Sequence, residues 1–263
     1  MKIITCIKQV PGSTQVEIDP ITGNLVRDGK NAKMNPYDLF ALEAAFEIKE
    51  RTNNCEVHAL TMGPFSATDV LRNAIYMGAD KGSLVTDRRF AGADVLATAY
   101  TLSQTIQRIG HYDLIICGKQ TTDGDTAQVG PEIAEFLGIP HVPYVKEIVE
   151  IKEHSIIVTS AYDFYDEKIE VEFPCLITVE KDSNVPRLPS YRRKRKYQEL
   201  KLDILSLKDF DDQDPGNYGL SGSPTQVEEI FPPQKTKDSI RIEGSGKELG
   251  KAIYQILKEN RYV

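Results

Sequence analysis

Four short, apolar, β-prone runs (residues 3–7, 57–62, 84–86 and 114–117) alternate with helical stretches through the first half of this chain. Strands separated by helices predict a parallel sheet covered by helices, with ligands at the carboxyl ends of the strands. The first helix is expected to start at Asn35 as N-cap, with Pro36 at its first position and Asp38 at its third. Behind them Leu39, Leu42, Ala45 and Phe46 recur at three- and four-residue spacing. Further helices are expected over 67–77, ending at Gly78, and over about 93–109, ending at Gly110.

Past residue 144 the pattern changes. Residues 146–151 and 155–160 are β-prone and 168–173 alternate strictly, as antiparallel edge strands do, while 175–179 return to a buried strand. From 182 to about 233 the chain is rich in Pro, Asp, Lys and Gly, with a short helix expected near 204–207. That is too long for a simple internal loop. Residues 246–260 carry Leu249, Ala252, Ile253, Ile256 and Leu257 at amphipathic helical spacing. The expected organisation is an α/β domain over 1–181, an extended arm over 182–235 and a C-terminal segment over 236–263. The domain is Rossmann-like: a parallel sheet with helices on both faces and antiparallel edge strands.

Composition narrows the function. The chain has 263 residues, 40% hydrophobic and 27% charged, which suits a globular protein with a sizeable core. No run of about 18 apolar residues is present, so no membrane insertion is expected. No signal-peptide pattern stands at Met1-Lys-Ile-Ile, so a cytoplasmic location is expected. Net charge is −7, against a nucleic-acid partner, and the one basic cluster, Arg192 to Lys196, reads as a solvated or partner-facing loop. Cys6, Cys55, Cys117 and Cys175 are far apart, without a C-x-x-C pair, and read as buried thiols rather than metal ligands.

The stretch Asp113-Leu-Ile-Ile-Cys-Gly-Lys-Gln-Thr-Thr-Asp-Gly-Asp-Thr-Ala-Gln-Val-Gly130 carries the clearest chemical signal. A strand feeds a helix through a polar loop, and Gly118 and Gly124 allow sharp turns and close backbone approach. Asp125 or Thr126 is expected to cap a helix bearing Ile133, Ala134, Phe136 and Leu137. A helix start of this kind presents amides and a positive dipole end to a phosphate, although a capped helix without ligand has the same appearance. Asp123 and Asp125 read as turn-shaping groups, not a metal site. No side-chain constellation for catalysis is present, so a bound cofactor would supply the chemistry.

Several stretches together resemble the electron transfer flavoprotein β-subunit family, over most of the chain and in that family's order. They are the strand Lys2 to Val10, the hairpin pattern Val16 to Val26, Lys33-Met-Asn-Pro-Tyr-Asp38, Leu60-Thr-Met-Gly-Pro64, Ala74-Ile-Tyr-Met-Gly-Ala-Asp80, Cys117-Gly-Lys-Gln120 and Pro186-Arg-Leu-Pro-Ser190. The resemblance implies an adenine nucleotide at the sheet's carboxyl edge. Cys6, Asn35, Pro36, Tyr37, Asp38 and Met62 would surround base and ribose, Gly118, Gln120 and Asp123 would also bind the cofactor, and Gly124, Asp125, Thr126, Ala127, Gln128 and Val129 would meet phosphate. Members that bind AMP resemble Asp-x-Asn-Gln-Thr in this loop, whereas this chain has Asp125-Thr-Ala-Gln-Val. That pattern is similar to the electron-bifurcating branch, as in caffeyl-CoA reductase–Etf complexes, which carries FAD in place of AMP.

A second strand–loop–helix, Val85 to Thr98, looks like the NADH site of that branch. Asp87, Arg88, Arg89, Phe90, Ala91, Gly92, Ala93 and Asp94 would form it. An arginine would pair phosphate, Phe90 would stack on a ring, and the amides near Ala93 and Asp94 would receive phosphate. Leu188, between Pro186 and Pro189, falls where the family anchors a dehydrogenase partner. The resemblance thus implies one half of a heterodimer with an α-subunit. FAD would take hydride from NADH, passing one electron to ferredoxin and the other, through the α-subunit flavin, to an acyl-CoA dehydrogenase-like enzyme or enoyl-CoA reductase. Two alternatives stay open: an ordinary electron-transfer β-subunit with structural AMP, and a non-redox nucleotide-sensing module docking through Leu188.

Overall fold

A computed structural model describes residues 1–12, 32–227 and 241–262. The hairpin pattern over 16–26 lies outside the described residues. The chain divides into two compact units, Met1–Glu228 and Glu229–Val263.

The first unit is built on a nine-stranded sheet. Its strands are β1 (Lys2–Cys6), β4 (Glu56–Met62), β5 (Lys81–Val85), β6 (Leu114–Gly118), β7 (His141–Ile151), β8 (Ser155–Ala161), β9 (Asp166–Glu172), β10 (Cys175–Val179) and β11 (Asp203–Leu205). Two further strands, β2 (Gln9–Pro11) and β3 (Ala32–Met34), make a small antiparallel pair. The sheet order is β11-β5-β4-β1-β6-β10-β7-β8-β9. Every pairing from β11 through β7 is parallel, and β8 and β9 close the far edge antiparallel. Strand β7 serves both patterns, pairing parallel to β10 and antiparallel to β8.

Side-chain alternation along the central strands divides the core in two. Ile3, Val57, Ala59, Leu114, Ile116 and Ile177 face the helices α1 (Pro36–Arg51) and α2 (Thr68–Met77). Ile4, Cys6, Leu60, Ile115, Cys117 and Leu176 face α3 (Val95–Ile109) and α4 (Val129–Leu137). Helices therefore cover both faces of a mostly parallel sheet, as the β-α alternation predicted. Among the described residues no helix is long and apolar enough to cross a membrane.

The segment after β10 wraps its own domain. Asn184 and Arg187 bond to α1, and α5 (Tyr191–Lys196) lies against the end of α2. Strand β11 then adds to the β5 edge, and Leu207, Phe210 and Tyr218 join the core on the α3 face. The helix expected near 204–207 is instead β11 followed by a short 3-10 turn, Leu207–Asp209, because pairing with β5 satisfies the backbone there. The basic run is helical, not a loop. Ser190 accepts from the Arg193 amide, and the Arg193 guanidinium turns inward to the Ile75 and Ala79 carbonyls at 2.8 and 2.7 Å. In the second unit α6 (Gly246–Glu259) opens with a capping box, Ser245 exchanging bonds with Glu248.

Candidate functional site

From β1 the chain moves outward through β4 to β5, then returns to place β6 on the other side of β1. The carboxyl ends of β1 and β6 therefore flank the topological switch point, where open α/β sheets leave a crevice for ligands. Cys6 and Cys117 are in-register neighbours at those ends, and Met62 ends β4 beside them. Both cysteine thiols are buried and unpaired; the hydrogen bond to Cys6, with burial second, raises the Cys117 thiol well above its ordinary value.

Asn35 organises the crevice. It stands at the N-cap position of α1 but does not cap the helix with its side chain. Fully buried, it donates from Nδ2 to Asp38 Oδ1 at 2.9 Å and to the Gln120 carbonyl at 2.8 Å, and its Oδ1 accepts from the Thr122 amide at 3.3 Å. One side chain thus fastens the loop after β6 to the start of α1. Asp38 also accepts the Lys8 amide at 2.7 Å, and burial pushes its carboxyl up to about 7. A Cβ on Gly118 would lie 2.5 Å from Asp38 Oδ1 and 2.7 Å from the Tyr37 carbonyl carbon, so only glycine lets β6 approach α1 this closely. Pro36 and Tyr37 begin α1 at the same corner.

The loop beyond Gln120 is mostly exposed from Thr122 to Gln128. Lys8 Nζ holds it at Asp123, 2.8 Å away, and Gln120 Nε2 donates to Asp125 Oδ1 at 2.9 Å. Asp125 and Ala127 adopt φ of 52° and 56°, a left-handed conformation that costs a non-glycine residue about 1 kcal/mol each. The expected cap at Asp125 or Thr126 is not formed. Helix α4 starts later, at Val129, with Gln128 in the N-cap position and no side-chain cap, because the two left-handed residues turn the chain before it can become helical. Pro131 lacks an N–H, so the first-turn amides of α4 ahead of any intrahelical acceptor are those of Val129 and Gly130. The loop, with Gly124 in it, therefore leads into a helix start that no side chain caps, which suits phosphate.

Lys8 and Lys119 were not singled out in the sequence. Lys8 follows β1 and reaches the loop, while Lys119 pairs with Glu180 at 3.1 Å and lies 4.8 Å from the Tyr144 ring centroid. A lysine one or two residues past the end of a strand bordering the switch point was the available signal.

The second segment is arranged differently from its expectation. Arg89 makes a bidentate pair with Asp87, at 2.9 and 2.6 Å, and this bond holds the Asp87 carboxyl well below the usual carboxylate range. Phe90 is not offered to a ligand ring: it is 4% exposed, with Phe210 and Tyr218 centroids 5.8 and 5.5 Å away. The Asp94 amide donates to Ser223 Oγ at 2.8 Å, and the Asp94 carboxylate caps Ala97 and accepts from Thr225. The wrapping segment supplies these partners, so that amide is not open to phosphate. Arg88, Ala91 and Gly92 stay exposed and Ala93 is half-buried.

Leu188 stands out from the surface, 87% exposed, on a rigid base. Next to it Arg187 bonds to buried Glu43 at 2.7 Å and to Glu50 at 2.7 Å, and its guanidinium lies 5.0 Å from the Phe46 ring centroid.

The sequence matches the electron transfer flavoprotein domain over residues 22–205. It is 42% identical over 246 residues to the electron transfer flavoprotein subunit beta of Megasphaera elsdenii, covering 90% of this chain and 89% of that one. It is 42% identical to the subunit of the same name from Thermoanaerobacterium thermosaccharolyticum, over the whole of both chains. It is also 40% identical, again over both full lengths, to the caffeyl-CoA reductase-Etf complex subunit CarD of Acetobacterium woodii.

Proposed function

Because the chain belongs to the electron transfer flavoprotein β-subunit family, we propose that it is the β-subunit of an electron-bifurcating flavoprotein. In this reading it pairs with an α-subunit and holds FAD at the carboxyl edge of the sheet. It takes reducing equivalents from NADH and divides them between ferredoxin and, through the α-subunit, a flavin dehydrogenase of the acyl-CoA or enoyl-CoA type. The carrying observation is the loop after β6, hung on Asn35 at the switch point and running into the uncapped start of α4.

The residues fit an adenine dinucleotide. Gly118 clears the approach to Tyr37 and Asp38, and the amides of Val129 and Gly130 head a helix dipole. Ala127 and Val129 carry no polar group to close the loop around a monophosphate, which leaves room for a longer ligand. Bound flavin supplies the redox chemistry that no side chain here offers. The chain's own residues bind and orient. Lys8 neutralises Asp123 beside the phosphate region, Asn35 sets the loop's position, and Cys6 and Met62 give the base an apolar wall. Arg88 is the cation left for NADH, since Arg89 is held by Asp87.

An ordinary AMP-binding β-subunit is the second reading. The burial of Phe90 and the bonded Asp94 amide favour it. Extraction of cofactors from the heterodimer separates the two. FAD in this subunit, beside that of the α-subunit, is the expected result, and AMP with a single FAD per heterodimer overturns the bifurcating reading.

A further inference from the structure

Two of the four cysteines stand side by side at the switch point. Cys6 ends β1, Cys117 is the last residue but one of β6, and the two are in register on adjacent parallel strands. Both side chains join the core on the α3–α4 face. Adjacent strands run about 4.8 Å apart, inside the roughly 4.4–6.8 Å between Cα atoms that a disulfide spans. The thiols share a hydrogen bond, and this bond, with burial second, keeps the proton on Cys117. Cys6 is the more exposed of the two, at 9% against 6%. The other two cysteines are placed where they do not compete. Cys175 opens β10 with its side chain in the core on the α1–α2 face, and Cys55 precedes β4 at the amino edge of the sheet.

We infer that Cys6 and Cys117 are a dithiol that closes reversibly to a disulfide, a modification that sets the affinity of the crevice for nucleotide. The oxidant is a low-molecular-weight disulfide. The ionised Cys6 sulfur attacks one sulfur of that disulfide, whose S–S bond breaks and releases one small thiol after protonation. Cys117 then gives up its proton, and its sulfur attacks Cys6 in the mixed disulfide and expels the second small thiol. The two cysteines lose two electrons and two protons, and the small disulfide gains them. Closure reaches the nucleotide through what the two strand ends support, which rests on the nucleotide reading of the proposed function. Two residues past Cys6, Lys8 donates its amide to Asp38 at 2.7 Å and holds Asp123 with its ammonium at 2.8 Å. Cys117 precedes Gly118, whose fit against Tyr37 and Asp38 leaves no room for a Cβ. Cys117 also lies against the first turn of α4, where a Cβ on Gly130 would be 3.6 Å from the Cys117 Cβ. Taking the sulfurs from hydrogen-bond contact to a bond of about 2.05 Å draws the strand ends together. That shifts the Asn35–Asp38 corner and the start of α4 at once. A bound nucleotide in turn covers Cys6 and slows the first attack.

The test treats the αβ heterodimer with oxidised glutathione, with and without AMP, then alkylates the remaining thiols and maps the cysteines by mass spectrometry. AMP carries the adenine and first phosphate common to both readings of the site and is not itself an oxidant. The expected product is a peptide linked through Cys6 and Cys117, with Cys55 and Cys175 alkylated. AMP at about ten times its Kd is expected to slow the linkage about tenfold. Calorimetric titration of the oxidised heterodimer is expected to show AMP bound about tenfold more weakly, with the affinity restored by dithiothreitol. Cys117→Ser is expected to stop at glutathione on Cys6. A native heterodimer that stops there too, or in which Cys55 reacts while the pair does not, overturns the inference and, with AMP still bound, leaves the proposed site standing. If the linkage forms equally fast with AMP bound and the affinity is unchanged, the nucleotide lies elsewhere, and the proposed site fails together with its control by the disulfide.

Discussion

Asn35→Ala tests the organisation of the crevice. The side chain is fully buried and makes three hydrogen bonds, to Asp38 Oδ1, to the Gln120 carbonyl and from the Thr122 amide, at 2.9, 2.8 and 3.3 Å. The bond to the buried carboxyl group is worth about 1.5–3 kcal/mol when that group is ionised, and each neutral bond about 1 kcal/mol. The Gln120 carbonyl and Thr122 amide lie in a loop that meets solvent, so water recovers part of their loss. The net cost is about 3.5–4 kcal/mol, divided between the fold and the loop. Urea unfolding is expected to show about 2 kcal/mol lost from the free chain. Calorimetric titration with AMP and with FAD is expected to show binding about 10- to 30-fold weaker, the remaining 1.4–2 kcal/mol. Asn35→Asp is expected to be worse, because it keeps an acceptor for Thr122 but sets a second carboxylate against Asp38. A stability change under about 0.5 kcal/mol with unchanged affinity refutes the reasoning. Lost stability with unchanged affinity would show that the loop is structural and the nucleotide sits elsewhere.

Two further outcomes are expected. Burial raises the Asp38 carboxyl from 3.8 to about 7, so across that interval the folded chain keeps a proton that the unfolded chain has released. The group's contribution to stability is fully present below the lower value and lost as pH rises to the upper one. Unfolding free energies of the native chain, taken relative to Asp38→Asn, should therefore fall as pH rises from 5 to about 7, and a flat difference rules this out. Tyr218→Ala removes a fully buried ring that packs 5.4–5.9 Å from Tyr100, Phe90 and Phe210 and donates to the Asp212 carbonyl at 2.7 Å. It is expected to cost about 3–5 kcal/mol in urea unfolding. A loss below about 1 kcal/mol would show that the wrapping segment is not part of the cooperative unit.

Sequence and structure diverge where local patterning meets contacts from distant parts of the chain. The strand and helix periods of 57–62, 67–77 and 114–117 are set by neighbouring residues, and each of these elements forms within a few positions of its expected bounds. Asn35 and Pro36 mark the start of α1 in the same local way, yet the Asn35 side chain serves a loop 85 residues away, because the return of β6 beside β1 brings Gln120 within reach. Asp125 and Thr126 have the chemistry of caps, but left-handed turns at Asp125 and Ala127 move the helix start past them. The motif around Phe90 reads as an open ligand loop, since nothing near it in sequence indicates that Ser223, Thr225 and Tyr218 will close over it.

By itself, then, the sequence determined the α/β alternation, the parallel sheet and the family, because hydrophobic period, helix starts and ordered motifs are properties of short segments. Only the tertiary structure decided which groups remain available to a ligand or a partner. It turned Arg193 inward, and it bonded the Asp94 amide while leaving the start of α4 uncapped. Availability depends on what the rest of the chain has already bonded, and those partners lie from 30 to more than 130 residues away in sequence.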